Sequence, residues 1–148
     1  MKIAIVNGPN LNLLGHRQPD IYGKVTFEDY LKVLQELFSG FTFTLFQSNR
    51  EGELVDLIQS AEGKYDGIVL NAGAFTHTSV AIADAVASVS LPVIEVHISN
   101  ILAREAFRQR SLLAKVCRGT ITGFGMDGYR LAVEALRVIS GKGNKPEE

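Results

Sequence analysis

Residues 3–10, IAIVNGPN, pass abruptly from an apolar run to asparagine, glycine and proline. The first four residues predict a short buried strand, and the residues after them predict a loop that starts where this strand ends. Residues 66–73, DGIVLNAG, repeat the pattern in the middle of the chain. Each stretch therefore predicts a strand with polar side chains directly beyond its carboxyl end.

Strand-like and helix-like segments alternate through the rest of the chain. Further strands are predicted over residues 41–48, 93–99 and 119–123, and helices over residues 25–38, 51–62, 79–89, 103–110 and 126–139. This alternation is typical of a doubly wound parallel sheet. We expect an α/β fold of the flavodoxin-like type, a three-layer sandwich with a five-stranded parallel sheet of order 2-1-3-4-5. Residues 1–148 are interpreted as a single catalytic domain that ends in a flexible tail, residues 141–148.

The composition excludes several classes of protein. The 148 residues are 46% hydrophobic and 21% charged with a net charge of −1, which favours a soluble globular protein over a disordered or nucleic-acid-binding one. No apolar run approaches the roughly 18 residues of a membrane span, and a strand that starts by residue 3 leaves no room for a signal peptide. The single cysteine, Cys117, allows no intrachain disulfide and is interpreted as a buried thiol in a cytoplasmic protein.

In a sheet of this order, ligands bind outside the carboxyl ends of the strands, where the winding reverses. Three segments reach that edge: the long loop 7–23, the segment 71–79 and the strand end 95–100. They carry most of the unusual polar side chains, namely Asn10, Arg17, Tyr22, Asn71, Thr76, His77, Glu95, His97, Ser99 and Asn100. Because three separate segments converge on one edge, we expect a binding site there.

Glu95 and His97 lie on the same face of the fourth strand, because strand side chains alternate. A carboxylate beside a histidine can orient and charge the imidazole, which suits a general acid. The alternative is a polar pair that neighbouring backbone groups satisfy at the end of the strand.

Other polar residues point to an anionic ligand. His77 lies at a predicted helix start, where backbone N–H groups favour anions, although capping by neighbouring hydroxyls would explain the same residues. Arg104 and Arg108 are four residues apart on one predicted helical face, which suits a carboxylate or phosphate ligand, or a solvated basic surface. Asp84, taken by its position alone, is an ordinary surface charge.

Three other kinds of site are not supported. The stretch GFGMDG, residues 123–128, matches a dinucleotide-binding fingerprint, but no strand follows the next helix, so we interpret its glycines as a tight turn. The three histidines lack the spacing of metal ligands, and no nucleophilic-serine motif is present. We expect neither a metal nor a cofactor.

Three long motifs resemble those of the type II 3-dehydroquinate dehydratases: NGPNLNLLGHRQPDIYG (residues 7–23), NAGAFTHTSVAIADA (residues 71–85) and EVHISNILAREAFR (residues 95–108). The resemblance covers about residues 2–140. It implies dehydration of 3-dehydroquinate to 3-dehydroshikimate in the shikimate pathway, which leads to chorismate and the aromatic amino acids. It also implies a homododecamer built from trimers.

The resemblance implies a role for each polar residue at this edge. Tyr22 would accept a proton, and His97 would donate one to the departing hydroxyl. Arg17 would stabilise the transition state, and Asn10 would hold an enolate oxygen. Substrate contacts would come from Asn71, His77, Asp84, Ile98, Ser99 and Arg108. Where the family's loop commonly reads Arg-Glu-Pro, this chain has Gln18, a difference that concerns the movement of the loop as a lid.

The long loop also has a chemical rationale. Removing a proton beside a ketone needs a base, and a free tyrosine has a pKa of about 10, so only about one in a thousand is ionised at neutral pH. A cation within about 4–6 Å favours the tyrosinate, and Arg17 lies five residues before Tyr22. No lysine lies at a strand end, so a Schiff-base route is not expected. The alternative function is a non-enzymatic binder of a small carboxylated metabolite, which would leave these reactive pairs without a purpose.

Overall fold

The structure, a computed structural model, describes residues 1–16, 20 and 24–141. Its strands are β1 (Lys2–Asn7), β2 (Thr42–Gln47), β3 (Gly67–Asn71), β4 (Val93–His97) and β5 (Gly119–Thr122). Its α-helices are α1 (Phe27–Leu37), α2 (Glu51–Ser60), α3 (Val80–Ser88) and α4 (Asp127–Ile139). Short 3₁₀ turns span Leu11–Leu13, Gly73–His77, Ile101–Ala103 and Ala106–Arg108.

The five strands form one parallel sheet in the order β2-β1-β3-β4-β5. This confirms the predicted flavodoxin-like order. The winding reverses between β1 and β3, so a crevice opens at the carboxyl ends of these two strands. Asn7 and Asn71 are the last residues of β1 and β3, and they lie opposite each other in the strand register.

Helices cover both faces of the sheet and complete the three layers. Leu34 of α1 and Leu136 of α4 belong to the buried cluster on one face. Leu54 of α2 and Ile82 of α3 belong to the cluster on the other. All five residues of β3 are buried, because a central parallel strand has side chains packed against helices on both sides.

The predicted helix over residues 103–110 is wrong. The structure has two separate 3₁₀ turns there, Ile101–Ala103 and Ala106–Arg108, and no α-helix between β4 and β5 in this described part of the chain. Arg104 and Arg108 therefore do not lie one helical turn apart on a basic face.

Hydrogen bonds to a distant segment explain this conformation. The Leu112 N–H group donates to the Thr76 carbonyl at 2.8 Å, and the Arg110 carbonyl oxygen lies 2.7 Å from the His77 ring. These long-range bonds hold the backbone of residues 110 and 112, just beyond the second 3₁₀ turn, against Thr76 and His77.

The glycines of residues 123–128 have two different roles. Gly123 and Gly125 have positive φ angles of 95° and 59° and belong to the predicted turn. Gly128 lies instead in the first turn of α4, where an added Cβ would come 3.1 Å from Val96 of β4. Its missing side chain lets the helix approach the sheet closely.

Candidate active site

A cleft of about 170 Å³ opens at the carboxyl edge of the sheet. Seven of the predicted site residues line it: Asn10, Asn71, His77, His97, Ile98, Ser99 and Arg108. Apolar side chains of Leu11, Leu13 and Leu14, from the start of the long loop, also line it. The cleft therefore combines several hydrogen-bonding groups with an apolar wall, as small-molecule sites do.

Glu95 and His97 form a buried pair at the end of β4. The Nε2 atom of His97 lies 2.6 Å from the Oε1 atom of Glu95, and the two residues are only 5% and 0% exposed. A carboxylate oxygen accepts, so Nε2 carries a proton. The other ring nitrogen, Nδ1, is then the one available to a ligand in the cleft.

Three hydroxyl groups also hold the Glu95 carboxylate. Thr76 and Ser111 donate to Oε1 at 2.5 and 2.6 Å, and Thr120 donates to Oε2 at 3.0 Å. Burial by itself raises the pKa of Glu95, but the hydrogen bonds that it accepts, that from His97 foremost, outweigh burial and lower the pKa to about 2. Glu95 is therefore ionised at neutral pH and stabilises a positively charged imidazole at His97.

This ionised carboxylate should make the stability of the protein depend on acidity. The folded-state pKa of Glu95 is about 2, below the ordinary value of 4.5, so its ionisation favours the folded state above pH 4.5. That contribution, roughly 3 kcal/mol, should be lost as the pH falls toward about 2. In the Glu95→Gln variant we expect a flatter dependence. Chemical denaturation between about pH 6 and pH 2 measures the unfolding free energy of both proteins.

Glutamine is a suitable replacement at this position. Its carbonyl oxygen can stay beside His97 while its amide group turns toward Thr120, whose hydroxyl can accept a hydrogen bond. Glu36→Gln is the control, since Glu36 is an exposed carboxylate on the surface of α1, and its curve should follow that of the parent. Parallel curves for the parent and Glu95→Gln would contradict the assignment of a low pKa to Glu95.

His77 lies beside His97 in the cleft, with the ring centroids 6.4 Å apart and the planes 20° from parallel. The Nδ1 atom of His77 lies 2.7 Å from the Arg110 carbonyl oxygen. A carbonyl only accepts, so Nδ1 carries the proton. In the neutral ring, Nε2 is then an acceptor for a hydroxyl group of a ligand.

Asn10 turns the chain from β1 along the cleft. Its backbone is left-handed, with φ 68° and ψ −4°, a conformation that asparagine tolerates better than most residues. Its N–H group donates to the side-chain oxygen of Asn49 at 3.0 Å. A non-glycine residue held in this conformation is typical of functional sites.

Arg104 and Arg108 bring positive charge to one part of the cleft lining. Their Nε atoms lie 3.7 and 3.3 Å from the same Glu105 carboxylate oxygen. The Nε atom of Arg108 is buried, and its contact with Glu105 lacks the geometry of a hydrogen bond, so within the described ranges this donor is unsatisfied. The guanidinium carbon also lies 5.2 Å from the centre of the Phe107 ring. This arrangement suits a carboxylate ligand.

Comparison with known proteins identifies the family. Residues 1–137 match the family model described as dehydroquinase class II. The chain belongs to this family. It is 56% identical to a 3-dehydroquinate dehydratase from Bacillus licheniformis over 133 residues, which cover 88% of this chain and 92% of the relative. It is 52% identical to a 3-dehydroquinate dehydratase from Nitratiruptor sp. over 141 residues, which cover 94% and 90%.

A solved structure supports the same assignment. The type II dehydroquinase from Butyrivibrio crossotus matches with a TM-score of 0.89 and 47% sequence identity, and the match covers 93% of this chain and 97% of that one. The family resemblance seen in the sequence motifs is thereby confirmed.

As a class II dehydroquinase, the chain brings most of the predicted site residues to one cleft, but not all. Glu95 lies behind His97, which it contacts, and does not itself line the cleft. Asp84 is exposed on α3 and does not line the cleft of its own chain. Arg17 and Tyr22 lie outside the described residues.

Four polar residues near this dehydroquinase cleft were not predicted: Asn7, Ser111, Thr120 and Tyr129. Thr120 lies opposite Glu95 in the register of β4 and β5, so its contact with the carboxylate follows from strand pairing. A threonine in a short strand gives no sequence signal of such a role. Asn7 and Tyr129 meet in the protein interior, far apart in the chain.

Groups that could support other chemistry are few in the part of this dehydroquinase that the structure describes. No three His, Cys, Asp or Glu side chains are grouped there as metal ligands, and no helix there is long and apolar enough to cross a membrane. Burial, with a smaller effect from the Glu95 charge, raises the pKa of Cys117 to about 12, so this thiol stays protonated.

Proposed function

We propose that this chain dehydrates 3-dehydroquinate to 3-dehydroshikimate through an enolate intermediate, as a step of the shikimate pathway. The observation that carries this proposal is the buried Glu95 carboxylate directly behind His97 at the cleft, 2.6 Å from the Nε2 atom of the imidazole. A passive binding site does not need a histidine held ready to release a proton. Membership of the class II dehydroquinases and the names of the curated relatives support the same reaction.

The reaction breaks one C–H bond beside the ketone and one C–O bond, and it forms a C=C bond. Tyr22 is proposed as the base that takes the proton, and Arg17 as the cation that favours its tyrosinate form. Asn10 is proposed to hold the oxygen of the enolate that results. His97 then protonates the departing hydroxyl, which leaves as water. Loss of the proton from Tyr22 and reprotonation of His97 restore the enzyme.

The rest of the lining is proposed to hold the substrate. The Arg108 guanidinium suits the substrate carboxylate. The Nε2 atom of His77 suits a hydroxyl group, because Nδ1 already donates to the Arg110 carbonyl. Asn71, Ile98 and Ser99 line the same cleft and are proposed as further contacts.

A spectrophotometric assay tests the reaction directly. Purified protein is mixed with 3-dehydroquinate in a buffer that contains a chelator, and the conjugated enone of the product is followed by ultraviolet absorbance. We expect turnover that heat-denatured protein lacks. Calorimetric binding of 3-dehydroquinate without any turnover would support the non-enzymatic alternative.

The substrate carboxylate is the same in the ground and transition states, so the loss of Arg108 should mainly weaken binding. We expect Arg108→Ala to raise KM about 10- to 100-fold with little change in kcat, since a charge-assisted hydrogen bond is involved. Steady-state kinetics measures both constants. Arg110→Ala is the control, because Arg110 meets the site through its carbonyl group and not through its side chain. A fall in kcat alone for Arg108→Ala would show that this arginine acts on the transition state.

Arg17 is proposed to act on the transition state, so its replacement should change kcat more than KM, unlike the replacement of Arg108. It favours charge that develops only during the reaction, so Arg17→Ala should mainly lower kcat. The pH at which tyrosine is activated should also move upward, because the cation that favours tyrosinate is gone. Lysine at this position should restore activity only in part, since it lacks the planar fork of donors. A variant with raised KM, and with kcat and its pH dependence unchanged, would make Arg17 a binding residue.

We also propose a cytoplasmic homododecamer built from trimers. Large apolar side chains are exposed and would be covered by assembly: Leu102 at 65%, Phe107 at 68% and Phe124 at 63%. The proposed contact between Asp84 and substrate would then have to form with the cleft of a neighbouring subunit. A lone cysteine that forms no intrachain disulfide is consistent with the reducing cytoplasm.

A further inference from the structure

A chain of polar groups crosses the interior beneath the cleft. The phenol oxygen of Tyr129 lies 2.8 Å from the side-chain oxygen of Asn7 and 2.9 Å from the side-chain nitrogen of Asn71. Asn7 ends β1, Asn71 ends β3, and Tyr129 comes from the first part of α4. All three residues are buried, with exposures of 1%, 3% and 0%. One hydroxyl group thus joins the two strand ends between which the sheet reverses.

The direction of each hydrogen bond in this chain is determined. The backbone N–H group of Gly73 lies 3.2 Å from the side chain of Asn71, and an N–H group can only donate. The atom of Asn71 that faces Gly73 is therefore Oδ1, and the one that faces Tyr129 is Nδ2. The Tyr129 oxygen accepts from Asn71 and donates its own proton to Asn7. If the Asn71 amide were reversed, its NH₂ group would face the Gly73 N–H group, and two donors would then lie opposite each other. Asn71 would also lose its hydrogen bond to the Tyr129 oxygen.

These bonds decide what Asn71 can offer to a ligand. Its oxygen accepts from Gly73 with one of its two lone pairs, and one of its two N–H groups donates to Tyr129. Asn71 lines the cleft, so the second N–H group is what remains for a substrate oxygen. We propose that Tyr129 is a positioning residue that holds the Asn71 amide so that its second N–H group is directed at the substrate. This inference rests on the proposed function, in which Asn71 contacts 3-dehydroquinate.

The surroundings of Tyr129 suit this role. Its ring packs edge-on against Phe27, with 4.7 Å between the centroids, and α4 approaches the sheet closely at Gly128. Burial raises the pKa of the phenol, so the group keeps the proton that it donates to Asn7. Tyr129 itself does not line the cleft, so any effect on the substrate must pass through Asn71.

The Tyr129→Phe variant tests the proposal, because it keeps the ring and removes the hydroxyl. Without the hydroxyl, only the Gly73 N–H group still orients the Asn71 amide, so its hydrogen bond to the substrate should weaken in both the ground and transition states. We expect KM to rise about three- to tenfold while kcat stays near the parent value. The dissociation constant of 3-dehydroshikimate, measured by calorimetry, should rise by a similar factor. A folded variant with parental KM and product affinity would overturn the proposal.

Tyr30→Phe is the matched control. Tyr30 belongs to the same aromatic cluster, and its hydroxyl donates to Asp127 at 3.3 Å without contact with the cleft. We expect a lower melting temperature for this variant and unchanged KM, which separates a positioning effect from a general loss of stability. An equal rise of KM in both variants would overturn the proposal.

Asn7→Leu provides a second test that does not depend on the folding of Tyr129→Phe. Asn7 does not line the cleft. Leucine at this position cannot accept the hydrogen bond from Tyr129, so the phenol proton can turn toward Asn71. There it would face the N–H group that Asn71 donates, and two donors would lie opposite each other. We expect a smaller rise in KM, about two- to fivefold.

In the parent protein, side-chain amide exchange measured by NMR should show one protected and one rapidly exchanging N–H proton at Asn71. Equal exchange rates for the two N–H protons would overturn the proposal for Tyr129. If the parent protein did not convert 3-dehydroquinate, only the proposed function would be overturned.

Discussion

Replacing His97 with glutamine is expected to lower kcat by a factor of about 10² to 10⁴, the usual contribution of a positioned acid. Glutamine can keep an N–H donor directed at Glu95, which His97 contacts at 2.6 Å. It cannot release a proton at neutral pH, so the departing hydroxyl would leave without protonation. KM should change little, because the lost interaction exists mainly in the transition state. Steady-state kinetics near neutral pH makes the comparison.

The neighbouring imidazole provides a matched control for this prediction. His77 lies beside His97, but its Nδ1 atom contacts the Arg110 carbonyl, whereas His97 contacts a carboxylate. We expect His77→Gln to raise KM more than it lowers kcat. If His97→Gln kept near-normal kcat while His77→Gln abolished turnover, the two histidines would have to exchange roles.

Tyr22→Phe should have an effect of similar size, because it removes the proposed base and preserves the ring. Phenylalanine cannot accept the proton beside the ketone, so we expect kcat to fall by about a thousandfold or more. Binding of 3-dehydroquinate, measured by calorimetry, should be largely retained, since Arg108 and His77 are unchanged. Tyr22 lies outside the described residues, so the prediction rests on the sequence motif and on the chemistry of the tyrosine.

A second tyrosine controls for the loss of any phenol group. Tyr65 packs edge-on against Phe46, with 6.2 Å between the ring centroids, and does not line the cleft. Tyr65→Phe should therefore turn over substrate at the parental rate. Near-normal turnover by Tyr22→Phe would refute the assignment of this residue as the base.

The strands were predictable because their signals are local. The apolar runs of β1 and β3 require burial on both faces, and this requirement can be read without knowing the partner strands. Their alternation with helical segments then leaves few possible topologies. The same local logic placed Glu95 and His97 on one face of β4, because side chains along a strand alternate.

The segment between β4 and β5 was mispredicted because its conformation depends on distant partners. Arg104 and Arg108 have the spacing of neighbours on a helix, yet Arg108 lies in a 3₁₀ turn. The segment is held by bonds to the β3–α3 connection, at Thr76 and His77. A helical pattern in the sequence has no information about bonds to a segment more than thirty residues away.

The sequence by itself determined the fold class, the family and the chemical groups at the strand ends. Only the tertiary structure decided the ionisation of Glu95, because the hydroxyls of Ser111 and Thr120 reach it through chain packing and strand register. It also supplied the second hydrogen-bond partner of the Asn71 amide, Tyr129, 58 residues further along the chain. The physical reason is that backbone preference acts over a few residues, whereas a buried polar atom must take its partner from whichever segment packs against it.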